Sequence, residues 1–181
     1  MNNTLFFVGI TKVLFGILVG ALGIFFASRV LGRFLRWGNV DEDIRKGSLA
    51  AGILKASALI ALGILVQNAV TATFNAMDLL YRWRTPQLSW AKTFGLYGLC
   101  HVGLSLAVGS CVLALGAILF NRLTKGVDEL EEVRKGNAAP ALVLGAVMIV
   151  MALVTAPGLQ TALDGLLPLP ELARDEMVAP S

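Results

Sequence analysis

Few side chains in this sequence have the character to do chemistry, and they fall into two groups. The first lies inside apolar runs. His101 is the sole histidine, nine positions after Lys92, roughly 13 Å at the helical rise. Such an imidazole either hydrogen-bonds a serine or backbone carbonyl on another helix or forms a stage in a proton or ion path, with Ser57 and Ser105 as further lining. Lys55 lies seven positions after Ser48, roughly 10 Å inward. Its stem can snorkel to the headgroups, so it is either an anchor or a residue that meets a lipid phosphate or an ion. Cys100 adjoins His101 but points about 100° away on a helix, which argues against a metal pair. There is no nucleophile–base arrangement, metal-ligand spacing, phosphate loop or paired intramembrane carboxylate, so the expectation is a protein without catalysis, cofactor or metal.

The second group is written twice. "EDIRKGS" spans Glu42 to Ser48, and "EEVRKGN" spans Glu131 to Asn137. In both, acids come first and bases last, which suits the dipole of a short helix. Gly47 and Gly136 stand where a left-handed residue ends a helix, and Ser48 and Asn137 are good N-caps for the next one. Each junction therefore reads as a short amphipathic juxtamembrane helix, a glycine break and a capped plunge into an apolar run. The plain role is to place and anchor that run. The sharper one is a docking surface made of Glu42, Arg45 and Lys46 together with Glu131, Arg134 and Lys135.

The elements that position these residues are apolar and long. Hydrophobic residues make up 56% of the 181-residue chain and charged residues only 15%, against roughly 25% charged in a soluble domain. Bilayer-length stretches run over about 5–32, 48–76, 93–120 and 138–160. The fold class expected is all-α integral membrane with four transmembrane helices. A formal charge of +3 sits beside the apolar runs, so it reads as topology and headgroup contact rather than nucleic-acid binding. No basic stretch precedes the first run, which points to a retained span rather than a cleaved leader. Cys100 and Cys111 are too far apart on one helix for a disulfide and read as small apolar packing residues.

Arg134 stands 89 positions after Arg45, and the same ungapped offset pairs Gly20 with Gly109, Arg33 with Arg122, Glu42 with Glu131 and Lys46 with Lys135. The chain thus reads as one membrane domain over 1–181, a tandem repeat of two helical hairpins at about 10–76 and 93–165, with a Pro-rich tail at 166–181. An even number of crossings per unit makes the repeat parallel. Arg33, Arg36, Arg45 and Lys46 in one loop and Arg122, Lys125, Arg134 and Lys135 in the other place both loops in the cytoplasm and both termini outside. Tyr81, Trp83 and Trp90 suit the opposite interface, where Gln67 and Asn68 are expected to finish the second span. Pro157-Gly158 is expected to break the last helix, with a short interfacial helix around 159–166. Gly16 and Gly20, with Gly95, Gly98, Gly103, Gly109 and Gly116, read as close helix-packing positions within or between chains.

The basic residue, Gly-Ser or Gly-Asn, alanines and glycine-bearing span of the two junctions resemble the YjfL-like bacterial membrane proteins, the family of domain of unknown function 350. The resemblance implies a four-span, internally duplicated inner-membrane protein over roughly 10–160. It carries no established reaction. It also implies a genomic neighbourhood of phage-shock-type membrane-stress proteins and ATP-grasp enzymes that resemble glutathionylspermidine synthase. Two functions are therefore expected: a homo-oligomeric interaction module for membrane stress, or an oligomeric ion channel or small-solute transporter whose path includes His101 and Lys55.

Overall fold

Inside hydrocarbon a backbone N–H has no water to turn to, so a lipid-facing apolar run closes its hydrogen bonds within itself as a helix. The computed structural model describes residues 3–34, 40–82, 90–123 and 129–166, and every element among them is helical. Four are long: α1 (Asn3–Phe34), α3 (Leu49–Arg82), α4 (Trp90–Leu123) and α6 (Ala138–Asp164). Two are short and sit between the members of each pair: α2 (Val40–Arg45) and α5 (Glu129–Arg134). All four long helices are apolar and long enough to cross a membrane. Arg36, Trp83, Lys125, the tail from 167 onward and the side chains of Tyr81 and Trp90 lie outside the described residues.

The bundle is organised around α3, which packs against α1, α4 and α6 and makes its longest contact with α6. Half of its apolar window is buried, against 11% in α1, so α3 is the centre and α1 the periphery. Its sequence explains that place. Ala50, Ala51, Ala58, Ala61, Ala69, Ala72 and Ala76 are all fully buried, and small residues let neighbouring backbones approach closely where lipid gives apolar side chains no reason to leave it. Between the alanines, Leu54, Leu62 and Leu65 interdigitate with Leu144 and Met148 of α6 in one core. Near the other end Phe15, Phe74 and Phe94 meet edge-on or tilted at 5.1–5.7 Å between ring centroids.

The glycines divide by environment. A side chain at Gly109 would overlap Leu62, and one at Gly145 would overlap Ser57, so Ser57 is a packing residue there. Gly98 takes the Phe15 ring 3.3 Å from where its side chain would begin, and Gly116 takes Met148 at 3.5 Å. Gly16, Gly20, Gly95 and Gly103 have no atom within 4 Å of that point. Gly109 is therefore a packing glycine within the chain, whereas Gly16 and Gly20 make no such contact within it.

Three further expectations are corrected. The last helix does not break at Pro157-Gly158: α6 continues to Asp164. The N–H that Pro157 lacks would have met the Leu153 carbonyl, one bond of a long ladder, and membrane helices accommodate such a loss. Nearby, Asn68 donates to the Ala156 carbonyl at 3.0 Å and Thr161 to that of Pro157 at 3.1 Å. Gln67 and Asn68 do not finish α3, which runs on to Arg82, and Asn68 links α3 to α6. Cys100 and Cys111 are exposed rather than packed.

The overlap at Gly109 makes a prediction. Gly109→Leu should lower stability by about 2 kcal/mol through overpacking, read as a fall in the thermal midpoint in detergent. An unchanged midpoint would contradict the seat of Leu62.

Candidate functional site: two charged junctions and a buried polar cluster

The two short helices end by the same backbone device. Gly47 has φ +87° and Gly136 φ +95°, a region where glycine carries no Cβ penalty. The Ser48 N–H donates to the Asp43 carbonyl at 2.9 Å and the Gly47 N–H to that of Ile44 at 2.9 Å; Asn137 and Gly136 do the same to Glu132 and Val133 at 3.0 Å each. This double closure satisfies the carbonyls that a helix end leaves open. The next helix starts at once: Ser48 Oγ accepts from the Ala51 N–H at 3.3 Å, and Asn137 Oδ1 from the Ala139 N–H at 3.2 Å.

Charge is arranged alike on both. Lys46 pairs with Glu42 at 2.7 Å and Lys135 with Glu131 at 3.4 Å, each one helical turn back. Lys135 also reaches Glu132 at 3.1 Å. That hydrogen bond, with the Glu131 charge, raises the Lys135 ammonium above the ordinary lysine value. A raised lysine keeps its contribution below its unfolded pKa and loses it only as pH rises through the folded one, so it stays charged throughout the neutral range. Exposed pairs of this kind contribute little to stability, and their consequence is a fixed pattern of surface charge. Since α5 touches α3 as well as α6, while α2 touches α3, both junctions lie at one end of the bundle.

The buried polar cluster lies elsewhere. His101, Thr73 and Ser105 are fully buried. Thr73 Oγ1 donates to the Ala69 carbonyl at 2.7 Å, and His101 Nδ1 lies 3.1 Å from the same oxygen. With the hydroxyl proton already committed, the favoured tautomer donates from Nδ1–H to Thr73 and leaves Nε2 as an acceptor. Nε2 and the Ser105 hydroxyl, one helical turn along α4, have no hydrogen-bond partner among the described residues. The partner on another helix is a threonine hydroxyl, where a serine or a backbone carbonyl was expected. At the end of α6, Gln160 donates to Asp164 at 3.0 Å.

His101 and Lys55 are not brought together. Lys55 forms an ion pair with Asp41 of α2, which clasps that short helix to α3. Within one chain the two are thus not joined, and the pair with Asp41 supports the anchoring role of Lys55.

A family model with the description "Domain of Unknown Function (DUF350)" matches the chain twice, at residues 4–88 and 89–169. Each match holds one span, loop and span. The chain belongs to this family. Its two matches each cover two candidate spans, so the duplication read from the 89-residue offset is a repeat of the family's domain. The chain is also similar to a UPF0719 transmembrane protein of Aquifex aeolicus (strain VF5), 28% identical over 121 residues that cover 67% of this chain and 38% of that relative. It thus matches well under half of the relative's length. No solved structure matches it. The family carries no assigned activity in its description, so functional argument rests on the residues themselves.

Comparison of the two domain copies explains the clasp. At the repeat-equivalent positions of Asp41 and Lys55 the second copy has Leu130 and Leu144, and these join the apolar core. An ion pair and a leucine pair hold the two short helices by different means. Lys55→Leu alone should cost about 1 kcal/mol by leaving Asp41 unpaired, whereas Asp41→Leu combined with Lys55→Leu should recover that loss. Thermal unfolding of the three chains decides this, and a double variant no better than Lys55→Leu would sink the equivalence.

Proposed function

We propose that this multi-pass membrane protein is a homo-oligomeric interaction module without catalytic activity, which presents its two charged junctions to a membrane-stress partner. The single observation that carries the reading is the duplicated junction: one glycine-terminated helix with one pattern of carboxylates and cations, built twice at the same end of the bundle. An anchor needs only lysine or arginine near a headgroup. A repeated pattern of both signs, held by i to i+4 pairs, suits recognition of a charged protein surface. The resemblance to families encoded beside phage-shock-type proteins supplies the partner class. On the positive-inside reading this end faces the cytoplasm of a bacterial inner membrane, with both chain termini outside.

The test reverses charge where the junctions share it. A chain with Arg45→Glu, Lys46→Glu, Arg134→Glu and Lys135→Glu should lose capture of a phage-shock-type membrane-stress protein from native membranes, with its thermal midpoint little changed. Undiminished capture counts against the docking surface.

A second reading, a channel or small-solute transporter formed by several copies, is favoured by one specific observation. His101 Nε2 and the Ser105 hydroxyl are buried in a span with no partner among the described residues, and intramembrane ionisable groups often mark pathways. Proteoliposomes that conduct protons or cations and lose at least tenfold of that flux on His101→Ala would support it. Flux that survives the substitution removes His101 from any path.

A further inference from the structure

The repeat is not packed symmetrically, and the break shows what the chain leaves unfilled. On the 89-residue offset α1 corresponds to α4, and α3 to α6. The contact of α3 with α4 should therefore have a counterpart between α6 and α1. The first is extensive, while α1 packs against α3 and α4 and makes no comparable contact with α6. Both halves of the missing contact are nevertheless present, the groove open and the ridge exposed except at Met151, which packs in part against the chain's own core.

The made contact shows how such halves fit. Leu62 and Leu65 of α3 seat on Gly109 of α4, and Gly98 faces Phe15 and Thr73. The counterparts of these two glycines are Gly20 and Gly9 of α1, glycine again in both cases. Eleven positions apart, they lie on nearly one face of the helix. Neither has an atom within 4 Å of where a side chain would begin. Gly20 instead lies in an open groove of roughly 660 Å³ between α1 and α3, floored by Gly16, Gly20, Gly23 and Gly63. The counterparts of Leu62 and Leu65 are Met151 and Val154 of α6. Met151 is half-buried and Val154 is 75% exposed, flanked by exposed Val150 and Leu153.

We propose that the α1 groove at Gly20 receives the Met151–Val154 ridge of α6 from a second copy of this chain. The occupant is argued from the chain itself, because the repeat-equivalent groove is filled by the repeat-equivalent ridge. The helices run in opposite directions in the made contact, and α1 and α6 of two equally oriented copies also run in opposite directions. Each copy supplies one groove and one ridge, so two copies can satisfy both reciprocally in a symmetric dimer, or several can close head-to-tail into a ring. A lipid chain could fill such a groove, but it would not require glycine at both Gly9 and Gly20 or a matching ridge on α6. This inference rests on the homo-oligomeric reading above and names its interface.

The test is oxidative cross-linking in native membranes, in a background of Cys100→Ala and Cys111→Ala. One tagged chain carries Gly20→Cys and a differently tagged chain carries Met151→Cys. Leu62→Cys with Gly109→Cys in a single chain is the control for an internal link. The expected result is a disulfide between the two tags, with neither single variant linking to itself. Self-linking of Gly20→Cys, or no link from a protein whose native mass is still that of an assembly, overturns this interface and leaves the homo-oligomeric reading standing. No link together with a monomer's mass overturns both. As a second readout, Gly20→Leu should fill the groove and shift the native mass to monomer while the chain stays folded, and an assembly that survives it overturns the proposal.

Discussion

The seat of Leu62 on Gly109 is the contact on which the rest of the arrangement depends. In water, leucines leave solvent for each other; in a bilayer they are already among hydrocarbon, so helices associate through close packing and a few polar links. Here the packing is done by absence of side chain. Gly109 admits Leu62, Gly145 admits Ser57, and the fully buried alanines of α3 let α4 and α6 approach one helix from different sides. Once α4 is set against α3 in this register, Thr73 meets His101, and Phe15 finds both Phe94 and Gly98. The hydrogen bond from Asn68 to Ala156 adds a polar link between α3 and α6, close to where Pro157 weakens the ladder of α6.

The two copies agree most where backbone geometry dictates the residue and diverge where a contact can be made in more than one way. A left-handed helix end admits few residues other than glycine, and both copies have it, followed in both by a capping side chain. The clasp between the short helix and its span has no such constraint, since any attraction of the right length serves. One copy uses Asp41 and Lys55, the other leucines. Divergence at Lys55 is thus compatible with a shared structural task.

How much of this was legible follows the same division. Spans were visible because hydropathy is summed over many residues, and the junctions because caps and glycine ends are decided within a few neighbours. The 89-residue offset supplied the hairpin repeat. What stayed hidden depends on which helix faces which. Gly20 and Gly109 are the same residue at the same repeat position, and nothing local says that one is filled and the other open. Pro157 and Gly158 signal a break locally, while the packing of α6 on α3, with Asn68 reaching Ala156 from 88 positions away, is a long-range contact.

The asymmetry also bears on α1. This helix is the least buried of the four spans. Its packing is concentrated on one side, where Val19 joins Val66, Ala69 and Val102, and Phe15 joins Phe74 and Phe94. Further along, Ala27 and Val30 of α1 join the larger core together with residues of α3, α4 and α6. The flank of α1 that bears Gly16 and Gly20 lies outside these contacts and meets lipid or another helix. A symmetric four-helix bundle would have closed that flank from within. Here the symmetry is completed in the α3–α4 pair and left open in the α6–α1 pair, so the duplicated chain keeps one copy of the contact for its own fold and leaves the residues of the other at its surface.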